Sequence, residues 1–396
     1  MKTIGGGVCA VKGVRAFGLK EGKNGIAVIT GGGQATGVFT RNKIVAAPII
    51  VTREHLEQSG QIYAVIANSG IANAYTGAQG ITNARRMAWR LAEQLNIEHN
   101  QVAVASTGVI GRPLNFKWIA TKLGDVITHL RPDEEGNLRA ATAIMTTDTT
   151  PKFVAVDVNG MRIGAIAKGA GMIEPNMGTM LAFIYTDALL PSDVLRKCLI
   201  RAVDTSFNMV TVDGDTSTND MALLIATGES HTDISVTKFQ KGLNFVCVEL
   251  AKMIAMDGEG ATKLIEVRII GAESQKDAAR AAKAVVRSLL VKTALFGADP
   301  NWGRIVAAVG YSGAHFNPDV LSLAISDRFD EVVNIISRGV DVLSPKGERM
   351  VRKLSEIMHG NYIIVTIDLS AGMKHAAAWG CDLTYDYVRI NAEYTT

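Results

Sequence analysis

The sequence predicts a mixed α/β protein with two or three domains. Its 396 residues exceed the length of one small module, since a domain usually takes about one to two hundred residues. Hydrophobic residues make up 47% of the chain and charged residues 20%, a balance typical of folded globular proteins rather than disordered ones. Segments with strand character and segments with helical spacing follow one another along the chain, and we detect no internal repeat.

The predicted strands are apolar runs of four to seven residues bounded by turn-forming residues. They lie at residues 26–30, 37–40, 62–67, 102–105, 153–158, 221–226, 245–249, 264–270, 321–325 and 363–367. Gly31, Gly32 and Gly33 stand between the first two runs. A glycine cluster in this position favours a turn between two strands.

Three helices are predicted from apolar residues spaced three and four apart. Thr82 is the capping residue of the first helix and Ser192 that of the second, and the third helix covers residues 278–290. The apolar faces of the first two consist of Met87, Leu91 and Leu95, and of Leu195, Cys198, Leu199 and Ala202.

No proline-rich or serine-rich linker marks a domain boundary. Residues 271–274 end a predicted strand and precede the third helix, so we place the boundary there. The prediction is an N-terminal domain at 1–273 and a C-terminal α/β domain at 274–396.

Charge and hydropathy narrow the classes of partner. The net charge is +3, from 41 basic and 38 acidic side chains, which provides no broad field for steering toward nucleic acid or an anionic membrane. No apolar run reaches the roughly 18 residues of a membrane span, and the first residues lack the apolar core of a secretory signal. We therefore expect a cytoplasmic protein that acts on small molecules.

We expect neither a metal nor a cofactor. The four cysteines are far apart, and the seven histidines show no spacing that would place two imidazoles on one metal. The glycine-rich segments match neither the dinucleotide fingerprint nor the P-loop.

Residues 168–184, KGAGMIEPNMGTMLAFI, carry the strongest chemical signal. A glycine-containing loop runs directly into an apolar strand, and Thr179 stands at the junction after Gly178. The hydroxyl of Thr179 could attack the preceding carbonyl, and cleavage would release an α-amine able to act as a base for that same hydroxyl. The same pattern also fits an ordinary turn before a buried strand. The local sequence leaves both interpretations open.

The segment resembles the cleavage and nucleophile motif of the ornithine acetyltransferase family, the bifunctional glutamate N-acetyltransferases of arginine biosynthesis. Further matches in the same order extend the resemblance over the whole chain: 106–114 STGVIGRPL, 145–148 MTTD, 212–220 VDGDTSTND, 257–263 DGEGATK, 299–304 DPNWGR and 389–396 RINAEYTT. The resemblance implies a four-layer α/β/β/α sandwich, similar to the folds of N-terminal-nucleophile hydrolases and β-aminopeptidases.

The resemblance also implies a self-cleaving enzyme that works by ping-pong acyl transfer. Cleavage between Gly178 and Thr179 would give an α chain of residues 1–178 and a β chain of residues 179–396, assembled as two α and two β chains. Thr179 would take the acetyl group from N-acetylornithine and pass it to glutamate. Thr107, through its hydroxyl, and Gly108, through its N–H, match the oxyanion hole of the family. Residues 106–108 also fit a turn after a strand.

Other residues match substrate-binding positions of the family. They are Thr146, Lys168, Thr179, Glu259, Asn391 and Thr396. Lys168 would hold a substrate carboxylate and lower the pKa of the new amine, and Glu259 suits the cationic amine of ornithine. The sequence leaves open whether Thr146 or Thr147 faces the substrate, and whether acetyl-CoA is a second acetyl donor.

The chain departs from the family pattern at two positions. Family members commonly carry alanine where this chain has Gly178 and histidine where it has Glu174.

Two other functions are left open by the sequence. An N-terminal-nucleophile hydrolase or aminopeptidase would pass the same acyl group to water. A non-catalytic amino-acid-binding protein would keep the fold without the chemistry.

Overall fold

The computed structural model describes residues 1–174, 180–230, 235–329, 331–344 and 347–393. Within these ranges the strands are β1 Lys2–Ile4, β2 Arg15–Glu21, β3 Asn24–Phe39, β4 Gln61–Ser69, β5 Val102–Ser106, β6 Lys152–Val158, β7 Met161–Lys168, β8 Leu181–Thr186, β9 Val210–Thr211, β10 Met221–Ala226, β11 Leu264–Ala272, β12 Ser322–Ser326, β13 Val332–Ser337, β14 Val340–Asp341, β15 Tyr362–Asp368 and β16 Lys374–Cys381. The helices are α1 Ala47–Ser59, α2 Gly77–Leu95, α3 Phe116–Thr128, α4 Glu134–Ala143, α5 Ser192–Asp204, α6 Val236–Met256, α7 Gln275–Arg287, α8 Leu289–Phe296, α9 Trp302–Gly310, α10 Glu348–His359 and α11 Tyr385–Glu393.

The chain divides into two compact units. The first contains residues 1–208 and 215–250, and the second contains residues 209–214 and 251–396. Strand β11, which lies before the predicted boundary at 273/274, belongs to the second unit because it pairs with β15 on one side and β16 on the other. The observed division therefore differs from the predicted domains of 1–273 and 274–396.

A mixed sheet of nine strands forms the frame of the first unit. Eight strands follow the order β1-β6-β7-β8-β10-β3-β4-β5, and β2 also pairs with β3. The long strand β3 joins two halves of this sheet. Its first part pairs with β2 and β4, and its last part pairs with β10.

The first unit has four layers. Residues that alternate along β3, β4 and β5 separate into two cores, because successive side chains of a strand point to opposite faces. One core packs these strands against α1, α2 and α3, and the other packs them against β7, β8 and β10. Helix α5 packs against β3 and β10. Helix α6 lies close to β6 and β7, since a Cβ atom on Gly242 would lie 2.8 Å from Val158 and 3.0 Å from Ile163. The predicted α/β/β/α class is confirmed.

The predicted turn at Gly31, Gly32 and Gly33 is wrong, because the chain continues through them as part of β3. The pairing with β4 shifts register between Thr30 and Gly33, as a β-bulge does. A Cβ atom on Gly33 would overlap the carbonyl group of Ala226. These glycines therefore serve close backbone approach within the sheet rather than chain reversal.

The second unit is an α/β layer structure around a seven-stranded sheet. Its strand order is β14-β13-β12-β15-β11-β16-β9. Helix α7 packs on β11 and β16, and α10 packs on β12 and β13. The predicted strands at 264–270, 321–325 and 363–367 correspond to β11, β12 and β15.

One predicted strand is a helix. Residues 245–249 lie inside α6, whose buried side chains include Val246, Cys247, Leu250 and Ile254. This spacing is helical, but the run at 245–249 is too short to show it. The first predicted helix begins earlier than Thr82, with Thr76 as the N-cap of α2, and the third is two helices, α7 and α8. Among the described residues, no helix combines the length and the apolar character needed to cross a bilayer.

Candidate functional site

Thr107 and Gly108 lie at the carboxyl end of β5, directly after Ser106. Strand β5 runs parallel to β4, and Ser106 is the register partner of Asn68. The Ser106 hydroxyl donates to Oδ1 of Asn68 at 2.6 Å, and the Thr107 N–H donates to the Asn68 carbonyl at 3.0 Å. Asn219 closes the same turn, since its Nδ2 donates to the Ser106 carbonyl at 2.8 Å. The turn that carries Thr107 is therefore fixed by buried polar groups.

The backbone at Gly108 has a conformation that requires glycine. Its φ is 127°, and a Cβ atom there would overlap the Gly70 carbonyl and lie 2.7 Å from the Ile71 nitrogen. The N–H groups of Thr107 and Val109 donate to the carbonyls of Asn68 and Gly70. Within the described part of the chain, the half-buried Gly108 N–H meets no acceptor. It is a donor held in place and available to a ligand.

Lys168, the last residue of β7, extends its ammonium to two threonines. Nζ donates to Oγ1 of Thr107 at 3.1 Å and to Oγ1 of Thr146 at 2.9 Å. Lys168 is 7% exposed. Of the two threonines left open by the sequence, Thr146 is the one whose hydroxyl contacts Lys168. The structure thus brings together four predicted site residues: Thr107, Gly108, Thr146 and Lys168.

A buried carboxylate, that of Asp148, lies behind these residues. Its Oδ1 accepts hydrogen bonds from Lys152 Nζ at 2.7 Å and from the Gly169 N–H at 2.6 Å, and its Oδ2 accepts from the Thr146 N–H at 3.0 Å. Lys168 Nζ lies 3.9 Å from Oδ2. Burial by itself would raise the pKa of Asp148, but the charges of Lys168 and Lys152 hold it well below its usual range. Asp148 is therefore an anion at neutral pH.

A third lysine, Lys20 of β2, lies close to this network. Its Nζ donates to the Ser69 hydroxyl at 2.8 Å and to the carbonyl of Met145, the residue before Thr146. Burial and the nearby charge of Lys168 lower the pKa of Lys20 to about 8, against an opposing effect of Asp148. Lys20 thus anchors the Met145 turn and loses its proton more easily than an exposed lysine.

The predicted cleavage bond lies outside the described residues, as do Gly178 and Thr179. The chain on either side is described. Before them, the Glu174 N–H donates to the Asp215 carbonyl at 2.9 Å, and the Thr216 hydroxyl donates to the Glu174 carbonyl at 2.9 Å. After them, Leu181 of β8 is the register partner of Lys168. Lys168 therefore stands opposite the residue two positions after Thr179 in the sequence.

The second unit contains two predicted binding residues. Asn391 of α11 donates through Nδ2 to Oε2 of Glu259 at 2.8 Å. Glu259 precedes Gly260, whose φ is 71° and whose carbonyl accepts a hydrogen bond from the Thr384 hydroxyl at 2.7 Å. Glu259 and Asn391 are therefore neighbours in this unit. Thr396 lies outside the described residues.

Comparison with known proteins identifies the family. The family model described as the ArgJ family matches residues 11–396. The chain belongs to the ArgJ family. It is 54% identical over 400 residues to a glutamate N-acetyltransferase of Methanosarcina acetivorans, with 100% of both chains covered. It is 48% identical over 386 residues to the arginine biosynthesis bifunctional protein ArgJ of Archaeoglobus fulgidus, covering 98% of this chain and 99% of that one.

Solved ArgJ structures are also similar to this chain. The arginine biosynthesis bifunctional protein of Bacillus halodurans is 40% identical, with a TM-score of 0.48, and the match covers 52% of this chain and 96% of that one. The ornithine acetyltransferase of Mycobacterium tuberculosis, solved with ornithine, is 35% identical with a TM-score of 0.41, covering 44% and 96%. Together with the names of the relatives, membership of the ArgJ family makes this chain an acyltransferase of arginine biosynthesis.

Several residues around the candidate site were not assigned a role from the sequence. Asp148 and Asn219 lie inside two of the matching motifs, MTTD and VDGDTSTND, so the motifs contained a signal for them. Lys152, four residues after Asp148, is a charged residue directly before the predicted strand at 153–158, which is a weaker signal. Lys20 lies 125 residues from Met145 in the sequence, and no local pattern connects the two.

Proposed function

We propose that this chain transfers the acetyl group of N2-acetyl-L-ornithine to L-glutamate through an acetyl ester on Thr179, yielding L-ornithine and N-acetyl-L-glutamate. The observation that best supports this proposal is the pair of donors at the end of β5. The N–H of Gly108 lacks an acceptor among the described residues, and the neighbouring Thr107 hydroxyl is contacted by the Lys168 ammonium. Such a pair suits the oxyanion of acyl transfer.

The nucleophile in this proposal is made by self-cleavage. The Thr179 hydroxyl attacks the carbonyl of Gly178, the peptide C–N bond breaks, and water hydrolyses the resulting ester to leave chains 1–178 and 179–396. The freed α-amine has an ordinary pKa of about 7.7 to 8.0, so a large fraction is neutral at physiological pH and can accept the hydroxyl proton.

Acetyl transfer then takes two steps. The Thr179 oxygen attacks the acetyl carbonyl of N-acetylornithine, the amide C–N bond breaks, and ornithine leaves with the proton taken from the hydroxyl. The amine of glutamate next attacks the ester, and the Thr179 hydroxyl is restored. Each tetrahedral intermediate carries an oxyanion, for which Thr107 and Gly108 are the proposed donors. One such donor is worth about 3 kcal/mol in transition-state stabilisation.

The proposed substrate-binding residues are Thr146, Lys168, Thr179, Glu259, Asn391 and Thr396. Lys168 provides the cation for a substrate carboxylate, and its burial strengthens that attraction. Glu259 provides the anion for the side-chain amine of ornithine. The proposed assembly is two α and two β chains.

The test of the proposal follows the acetyl group. With N-acetylornithine labelled in its acetyl group, the purified protein should form labelled N-acetylglutamate in equal amount to ornithine when glutamate is present. Labelled acetate in place of N-acetylglutamate would instead support the hydrolase. Acetyl-CoA with glutamate forms a separate arm, which decides whether the enzyme has a second donor.

The Thr179→Ala variant tests the nucleophile. It should remain a single chain on a denaturing gel and transfer no acetyl group, because alanine supplies no hydroxyl. Wild-type protein should show the 1–178 and 179–396 chains. A wild-type chain that stays uncut and binds ornithine without reacting would support the non-catalytic amino-acid-binding protein.

A further inference from the structure

The charge cluster behind Thr107 contains a buried ion pair, Asp148 with Lys152, and further hydrogen bonds of the Asp148 carboxylate. The side chains of Asp148 and Lys152 are 0% and 1% exposed and lie 2.7 Å apart, so each neutralises the other. Yet Asp148 also binds two backbone N–H groups, those of Thr146 and Gly169. These groups belong to the segments that hold the Thr146 hydroxyl and the Lys168 ammonium. The Asp148 carboxylate therefore holds the backbone on both sides of the hydrogen bond between Lys168 and Thr146.

The contact between Lys168 and Thr107 decides where the proton of the Thr107 hydroxyl can go. An ammonium only donates, so the Thr107 oxygen accepts the hydrogen bond from Nζ. A hydroxyl that accepts on one lone pair keeps its own proton for a different acceptor. A fixed Lys168 thus leaves Thr107 as a donor, the role that an oxyanion requires, and polarises its O–H bond.

The position of Lys168 depends on Asp148 in two ways. Oδ2 of Asp148 attracts the ammonium from 3.9 Å and binds the N–H of Thr146, whose hydroxyl accepts a hydrogen bond from the same Nζ. Oδ1 binds the N–H of Gly169, the residue after Lys168. Both the head group of Lys168 and its backbone are therefore tied to one buried carboxylate.

We propose that Asp148 is a positioning residue for acetyl transfer: it fixes the Lys168 ammonium against the Thr107 hydroxyl, so that Thr107 presents its proton to the oxyanion. The inference rests on the proposed function and adds to it a group that does not touch the substrate. Asp148 acts through Lys168 and Thr107, so its loss should lower kcat rather than abolish binding.

The test uses two Asp148 variants, one control variant and a Thr107→Val background, all measured for acetyl transfer per cleaved chain. Asp148→Asn removes the charge with little change of shape. The double variant Asp148→Asn with Lys152→Met removes both charges of the buried pair. It therefore avoids the loss of stability that an unpaired, buried Lys152 would cause. Asp157→Asn is the matched control, because Asp157 also binds a backbone N–H, that of Gly160 at 2.8 Å, in an exposed turn.

We expect both Asp148 variants to lower kcat about 10-fold to 100-fold and to change KM for N-acetylornithine less than about threefold. The loss should be smaller than the roughly 10²-fold to 10³-fold of a deleted oxyanion donor, because the Thr107 hydroxyl is still present and only its orientation is lost. The control should stay within about twofold of wild type. In a Thr107→Val background, Asp148→Asn should cost less than about threefold in kcat, because the hydroxyl on which it acts is gone.

Several results would overturn the inference. They are an unchanged kcat in the double variant, a full 10-fold to 100-fold loss in the Thr107→Val background, or a rise in KM at constant kcat. Failure of both Asp148 variants to fold would also count against it, since the carboxylate would then serve the core. Absence of transfer by wild-type protein is a different outcome, because it removes the proposed function itself.

Discussion

Two groups of predicted site residues, one in each unit, differ in how they are held. In the first unit, Lys168 and Thr107 are 7% and 9% exposed and rest on the buried carboxylate of Asp148. In the second, Glu259 and Asn391 share a solvent-exposed hydrogen bond of 2.8 Å. Buried polar groups linked by several hydrogen bonds have one stable arrangement, whereas exposed groups exchange partners with water at little cost. Of these two groups of predicted site residues, the one in the first unit is therefore the more preorganised.

The comparison predicts larger effects of substitutions in the buried group around Lys168 and Thr107 than in the exposed pair of Glu259 and Asn391. The largest effect is expected for Gly108→Ala. A Cβ atom at φ 127° is strained and would overlap the Gly70 carbonyl, so the Gly108 N–H must move from its position. Loss of one oxyanion donor lowers kcat by about 10²-fold to 10³-fold. Steady-state acetyl transfer by the cleaved protein measures the effect.

Gly111→Ala is the matched control for this variant. Gly111 also has a positive φ, 77°, but a Cβ atom there would meet nothing within 4 Å. Its cost should be limited to backbone strain of about 1 kcal/mol in the free energy of unfolding. Equal loss of kcat in the two variants would show that backbone strain, rather than the Gly108 donor, is responsible.

A second prediction compares a buried lysine with an exposed one. Lys152→Met leaves the Asp148 carboxylate without its closest cation, and breaking a buried pair typically costs about 3 to 5 kcal/mol in the free energy of unfolding. The control is Lys197→Met, since Lys197 pairs with Asp193 at 3.0 Å with a side chain 70% exposed. Exposed pairs contribute about 1 kcal/mol or less. Denaturant unfolding of both variants should separate them, and equal costs would contradict the assignment of Asp148 as a buried anion.

The sequence predicts the frame of the molecule better than its charge networks. Apolar runs identify β4, β5, β6 and β10 because a strand buried on both faces is continuously hydrophobic. The same rule fails at 245–249, where five residues do not distinguish a buried helix from a strand. It also fails at Gly31–Gly33, because the close approach of Ala226 to Gly33 involves a strand almost two hundred residues away.

The site divides in the same way. Thr107, Gly108, Thr146 and Lys168 were found through motifs, and the structure places them together. The charged residues around them, Asp148, Lys152 and Lys20, were not identified from the sequence. Their contacts depend on the pairing of β6 with β7 and of β2 with β3. A motif identifies side chains, whereas the hydrogen bonds that orient them are a property of the folded sheet.

A third prediction uses the lowered pKa of Lys20. The pKa of Lys20 in the folded protein is about 8, below the 10.5 of an unperturbed lysine. Between these pH values the unfolded chain holds a proton that the folded chain has released, so raising the pH from about 8 to 10.5 favours folding. Below about pH 8 both states are protonated, and the cost of the buried charge is fully present.

Wild-type protein should therefore gain stability relative to Lys20→Met as the pH rises from 7.5 to 10. After allowance for partial exposure of Lys20, the gain should be on the order of 1 kcal/mol. Thermal unfolding of both proteins across this range measures it, with exposed Lys117→Met as the control. A difference that stays constant with pH would show that Lys20 does not titrate near 8.

The smallest change in stability is expected at the exposed pair. Asn391→Ala removes one hydrogen bond to Glu259, and because both groups can bind water instead, the free energy of unfolding should fall by about 0.5 kcal/mol or less. If Asn391 orients Glu259 for the amine of ornithine, the same variant should raise KM for N-acetylornithine severalfold, since a freely rotating carboxylate must be ordered on binding. Asn361→Ala, at another surface position of the second unit, is the control for general effects on this unit. An unchanged KM would contradict a role of Asn391 in substrate binding. Lys168 and Thr146 of the first unit would then be the remaining proposed determinants of donor binding, and the hydrogen bond between Asn391 and Glu259 would contribute only to stability.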